Sequence, residues 1–164
     1  MGKVYCTVFE TGFGWVAIVG RDGKLIGVEL PKPTRKAAMA GIPPAAEEAR
    51  EGFGRLPEQM MRYFAGERVC FECEVEVEGV GDFERQVLVE TMKVSYGSVT
   101  TYGALAAAVG SPRAARAVGN AMKRNPLPIV IPCHRVIHSG GGLGGFGGGP
   151  DMKRHLLALG GVEL

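Results

Sequence analysis

The chain changes its period at Glu78-Gly79-Val80-Gly81-Asp82. Just upstream, Val69 to Val77 alternates apolar and polar residues almost strictly. That pattern predicts a strand with Val69, Phe71, Cys73, Val75 and Val77 inward and Glu72, Glu74 and Glu76 toward water. Downstream, Phe83, Val87, Thr91 and Val94 recur at helical spacing with Leu88 beside them, and Asp82 stands where a helix cap belongs. Two glycines between the patterns loosen the backbone. The expected architecture therefore has two parts: an α/β N-terminal domain over residues 1–78, a linker over 79–82 and a mostly helical domain over 83–164.

The first part reads as a small antiparallel sheet with helices. Lys3 to Phe9, Trp15 to Val19 and Lys24 to Leu30 are rich in β-branched and aromatic residues, and Asp22-Gly23 predicts a tight hairpin turn between the second and third. Pro31 and Pro33 end the hairpin. Pro43-Pro44 separates a short basic loop from an Ala/Glu-rich helix near Ala45 to Gly52, and Pro57 opens a second helix that Gly66 stops. Cys70 and Cys73 form a C-x-x-C, but residues three apart on a strand point to opposite faces. No structural zinc and no disulfide is expected from them.

At 164 residues and 46% hydrophobic, the chain can bury a core and is expected to be soluble and cytoplasmic. It opens with no apolar leader, and no run approaches the roughly 20 apolar residues a membrane span requires. Its net charge of +2 conceals an asymmetry. Residues 1–82 carry 10 basic and 13 acidic side chains, net −3, whereas residues 83–164 carry 9 and 4, net +5. A polyanion is expected to meet the second part alone.

That basic part contains Ile129-Val130-Ile131-Pro132-Cys133-His134-Arg135-Val136-Ile137, a cysteine and a histidine inside a core-like run. Pro132 fixes its own φ and biases Ile131 toward extended geometry, so Cys133 begins a segment of set direction. A thiol attacks only as thiolate and needs a base or cation to form it at neutral pH. His134 is the base at hand. On an extended segment the two side chains face opposite ways, so the proton is expected to pass through a bridging water rather than across a local turn.

Ser111-Pro112 is expected to cap and open a helix through Asn125. Arg113, Arg116, Ala117, Asn120 and Arg124 share one face of that helix, and Ala115, Val118, Gly119 and Met122 another. One basic face beside one apolar face suits the second helix of a helix-turn-helix that meets duplex DNA. Small alanines between arginines allow close approach to a groove but offer few base-reading groups, which suits sequence-tolerant binding. Ser139 to Gly149 holds eight glycines and more spacing matches than a dinucleotide site requires, yet no βαβ unit surrounds it. It is read as a loop able to close over a flat base. A last helix, Asp151 to Leu159, ends at Gly160-Gly161.

Pro132-Cys133-His134-Arg135-Val136 resembles the active-site motif of the O6-alkylguanine-DNA alkyltransferases, the methylated-DNA-protein-cysteine methyltransferases, and the resemblance runs without a gap from about Phe83 to Leu157. It implies DNA repair by one-time transfer of an alkyl group from O6-alkylguanine in duplex DNA to Cys133, by a monomer without a cofactor. It implies further that Tyr102 assists flipping and donates toward the guanine, and that Arg116 fills the space the flipped nucleotide leaves. Asn125 is the implied hinge into the cysteine segment and Arg135 a structural or electrostatic support. The carbonyls of Cys133 and Val136 are implied acceptors from the guanine amino group, the Gly147 amide lies near the alkylated oxygen, and Phe146 stands where tyrosine is frequent. Some members carry zinc in the first domain, but nothing here matches such a site. One departure stands out: where the family has the glutamate that holds the histidine, this chain has Gly160. Glu163, the only acid after Asp151, is the expected substitute. The alternatives are a non-catalytic protein that binds alkylated bases and a thiol hydrolase, the latter leaving the basic helix without a purpose.

Overall fold

A computed structural model describes residues 2–164 and divides into two compact units, one running to Glu78 and the other from Gly79 to Leu164. In the first, β1 (Val4–Thr11), β2 (Gly14–Arg21) and β3 (Lys24–Lys32) form an antiparallel meander. Arg21 and Lys24 pair across a two-residue turn in which Asp22 and Gly23 both take positive φ, 52° and 78°. Such a turn matches the right-handed twist of its strands, which is why Asp-Gly was informative.

Two expectations fail at the edges of this sheet. The Ala/Glu-rich stretch after Pro43-Pro44 is not an α-helix; it holds a short strand, β4 (Glu47–Glu48), and a 3-10 turn over Arg50–Phe53. β4 lies parallel to β1, and Lys3 bonds Glu47 while Arg35 bonds Glu48. Acidic residues read as helix formers are the edge strand's ion-pair partners instead. The helix falls earlier, at α1 (Arg35–Met39), where Thr34 accepts from the Ala37 N–H at 3.1 Å. The alternating stretch does bury Val69, Phe71, Cys73, Val75 and Val77 more than Cys70, Glu72 and Glu74, yet only β5 (Glu74–Val75) joins the sheet, parallel to β3. The sheet, in the order β4-β1-β2-β3-β5, is thus mixed rather than antiparallel. α2 (Leu56–Phe64) has Pro57 in its first turn and buries Leu56, Met60, Tyr63 and Phe64. All four cysteines are free.

The second unit is mostly helical. α3 (Asp82–Thr91) buries Val87, Leu88 and Thr91; its cap is Gly81, and Asp82 is its first residue rather than its cap. β6 (Thr100–Thr101) leads into α4 (Tyr102–Ala108), whose first turn is closed by the Thr101 hydroxyl accepting from the Ala104 N–H. Ser111-Pro112 opens a turn rather than a helix, because the Ala114 N–H bonds the Ser111 carbonyl at 2.9 Å. α5 therefore begins later, spanning Ala115–Lys123, and Arg113 lies in the turn before it. α5 buries Val118, Ala121 and Met122 and packs on α3 and α4. β7 (Val136–Ile137) pairs parallel with β6, and α6 (Pro150–Leu159) closes the unit. No described helix is long and apolar enough to cross a membrane.

Candidate active site

Cys133, His134 and Arg135 form one 3-10 turn, not an extended segment. The cause lies four residues upstream. Ile129 has φ 77°, a left-handed conformation that a β-branched residue adopts only when its surroundings impose it, at a cost of about 1–3 kcal/mol. Its side chain is 2% exposed, and the Ile131 N–H reaches back to the Leu127 carbonyl at 2.8 Å. Asn125 holds the same loop from below: its Nδ2 donates to the Ile131 carbonyl and its Oδ1 accepts from the Leu127 N–H, each at 2.9 Å. Pro132 then enters the turn with φ −79° and ψ 65°, and the cysteine and histidine follow on a tight curve. Arg135 anchors that curve by donating to the Val94 carbonyl at 2.9 Å and lying over the Tyr96 ring.

Cys133 forms part of the wall of a cavity of about 430 Å³ that also touches Tyr102, Arg116, Asn120, Phe146 and Gly147. Four separate stretches of sequence meet there. Arg116, Ala117 and Asn120 are exposed on α5, Arg124 is exposed at its C-cap, and Arg113 is exposed ahead of it. Arg124 bonds Glu84 at 2.7 Å. Tyr102 is 8% exposed, packs on His138 with centroids 5.1 Å apart, and its hydroxyl bonds the Gly145 backbone. Gly144, with φ 77°, lies against that hydroxyl so closely that any Cβ would collide with it. Phe146 meets His134 edge-on at 6.3 Å.

Cys133 and His134 are both buried, and their protonation follows from that. Burial pushes the Cys133 thiol up; the Asn125 side chain, the Lys153 charge and the backbone N–H groups of Cys133 and His134 pull it back down. His134 is 1% exposed, and burial, then Arg135 and Lys153, lower it to about 3. Burial raises Tyr102, so it stays protonated. The neutral imidazole is the resting form of His134, and imidazolium gains support only when a thiolate forms near it.

Val136 is buried, while Glu163 is exposed in the tail after α6. Gly160 caps α6, and a Cβ there would sit 3.0 Å from the Gly97 nitrogen and 3.1 Å from its Cα. The backbone has closed on the position to which the resemblance assigns a glutamate. Sequence reasoning passed over Lys153, fully buried on α6 with Nζ donating to the Val136 carbonyl at 2.7 Å and the Gly145 carbonyl at 3.2 Å. The signal was present: Lys153 stands three and four residues before Leu156 and Leu157, on the apolar face.

A family model for the 6-O-methylguanine DNA methyltransferase DNA-binding domain matches residues 82–162. The methylated-DNA--protein-cysteine methyltransferase of Mycobacterium tuberculosis is 44% identical over 156 residues, covering 95% of this chain and 92% of that protein. Its counterpart from Mycolicibacterium paratuberculosis is 39% identical over 155 residues, covering 94% and 90%. The crystal structure of Mycobacterium tuberculosis OGT in complex with DNA superposes with a TM-score of 0.82 at 33% identity, covering 95% of this chain and 92% of that one. With relatives so similar over nearly their whole length, and with the cysteine turn, the cavity and the basic helix assembled in one unit, the chain belongs to the methylated-DNA-protein-cysteine methyltransferase family.

Proposed function

We propose that this protein repairs DNA by moving an alkyl group from O6-alkylguanine in a duplex onto its own Cys133. The observation that carries the reading is the cavity wall: a buried cysteine on a fixed turn shares it with Arg116 and Asn120 of an exposed basic helix face. α4, the turn over residues 109–114 and α5 serve as a helix-turn-helix, and α5 meets the duplex. Arg113 and Arg124 flank the contact, Ala117 and Asn120 permit close approach, and Arg116 enters the stack as the nucleotide leaves it.

The chemistry needs one ionisation and one displacement. Cys133 loses its proton through water linked to His134, the sulfur forms a bond to the alkyl carbon, and the bond from that carbon to O6 breaks. The electron pair leaves with guanine, which takes up a proton while the Tyr102 hydroxyl donates a hydrogen bond to it. Asn125 and Arg135 hold the turn. The carbonyls of Cys133 and Val136 accept from the guanine amino group, Phe146 covers the base and the Gly147 amide approaches the alkylated oxygen. The product is a thioether on the protein, so each molecule acts once. Incubation with duplex DNA bearing labelled O6-methylguanine, followed by intact mass, should show a permanent gain of one methyl. Methanol release without adduct would indicate a hydrolase, and binding without mass change a recognition protein.

Arg116→Ala should slow transfer from duplex DNA by about tenfold or more, the cost of unstacking without a wedge being a few kcal/mol. Transfer from the free modified base should stay near the native rate. Parallel single-turnover measurements on the two substrates check it, and equal losses on both would remove Arg116 from the wedge role.

A further inference from the structure

Resting on the reading of Cys133 as acceptor, we propose that Lys153 is the charge partner that readies Cys133 in this chain, in place of a carboxylate acting through His134. Lys153 and Gly160 lie seven residues apart, two turns along the same face of α6. At the position to which the resemblance assigns a carboxylate this chain offers backbone, and two turns earlier on the same face it offers a buried cation. The two hydrogen bonds of Nζ go to the Val136 carbonyl, one residue past the cysteine turn, and to the Gly145 carbonyl in the glycine loop. Both acceptors are neutral, so they satisfy two of the three N–H groups without cancelling the charge. A lysine with no exposed surface carries that charge only where something nearby repays its desolvation.

The groups facing the sulfur identify what that something is. Asn125 reaches it from the loop below, the backbone N–H groups of Cys133 and His134 from the turn itself, Tyr102 from α4 and Lys153 from α6, while Arg135 on the same turn is directed to the Val94 carbonyl. Lys153 favours the thiolate of Cys133, and Cys133 in turn favours the ammonium of Lys153, which burial alone lowers; the net position is about 8. His134 lies under two cations and stores a proton poorly. In the proposed step the Cys133 proton therefore passes through the pocket water to bulk solvent, and Lys153 keeps its own proton throughout. The sulfur–carbon bond then forms as the carbon–O6 bond breaks, beside a resident ammonium. Lys153 acts through Cys133 and never touches the alkyl group, so it is a positioning residue.

The test measures the pH dependence of Cys133 alkylation by iodoacetamide, followed by peptide mapping so that exposed Cys70 does not confuse the signal. This readout needs no DNA and so stands apart from the repair reading: a native chain that never accepts methyl would refute that reading while leaving the thiol profile to judge this one. Lys153→Gln, which still donates a hydrogen bond but carries no charge, should move the Cys133 midpoint upward by about one unit or more. Lys153→Arg should keep the midpoint near the native value. Equal profiles for Gln, Arg and the native protein would overturn the proposal, as would an upward move on Glu163→Gln with none on Lys153→Gln. If neither Lys153 variant folds, the reciprocal measurement decides: Cys133→Ser should lower the Lys153 midpoint seen by NMR of the labelled side-chain nitrogen, and an unmoved midpoint would overturn it.

Discussion

Cys133→Ser should reduce methyl acceptance to background while duplex affinity stays near the native value. A serine hydroxyl ionises far less readily than a thiol, and His134, lowered by burial to about 3, is too weak a base to make up the difference. The substitution removes little volume, and the Asn125 side chain that donates to the sulfur is placed to donate to the new hydroxyl, so the turn should persist. The exposed arginines of α5 are unaffected. Intact mass after incubation with methylated duplex, together with a binding isotherm on the same DNA, checks both halves. Peptide mapping of the native protein should find the methyl on Cys133 alone, since Cys6 and Cys73 are raised by burial and lie in the other unit, outside the cavity. Simultaneous loss of transfer and binding would show that the thiol also shapes the DNA-binding surface.

The second large effect is on stability. His134 titrates near 6.5 in an unfolded chain and near 3 in the folded one. A base lowered by folding leaves the unfolded chain binding the proton first as pH falls, so its contribution is fully present above 6.5 and is lost between 6.5 and about 3. Full development of that shift amounts to about 4–5 kcal/mol, a large part of a typical domain's stability. Hydrogen exchange at amides of α6 and β7 should therefore show stability falling steeply from pH 6.5 to pH 4. His134→Gln should flatten the slope. Tryptophan fluorescence would miss it, because the sole tryptophan, Trp15, belongs to the other unit. A native slope no steeper than the variant's would mean that the imidazole is not held neutral.

The legibility of this fold in its sequence varied with how local the causes were. Asp22-Gly23 dictates its turn by itself, and α2 is announced by Pro57 and its apolar stripe. The 69–77 alternation told inside from outside except at half-buried Glu76, but an edge strand's hydrogen bonds depend on a neighbour, and β3 offers one to only two residues. Residues 45–52 have a helical composition overruled by backbone pairing with β1, some forty residues away in sequence. At the site, Cys133, Tyr102, Arg116 and Phe146 were identifiable and do gather around one cavity. The curvature that presents the cysteine was not identifiable, because it depends on a positive φ at Ile129, a residue type that gives no local sign of it.

The Arg124–Glu84 pair bears on how binding will respond to salt. Glu84 has a side chain 19% exposed, and its second carboxylate oxygen is buried without a hydrogen bond. A phosphate that captures Arg124 strips a mostly buried anion of its cation. The sodium or potassium ion displaced from the DNA is then taken up by the bared carboxylate, and the net number of ions set free at that contact is close to zero. Arg113, Arg116 and Lys123, exposed alongside it, release theirs outright. A count of cations along α5 therefore overstates the slope of affinity against salt, and Arg124 fastens α5 to α3 more than it fastens either to the duplex.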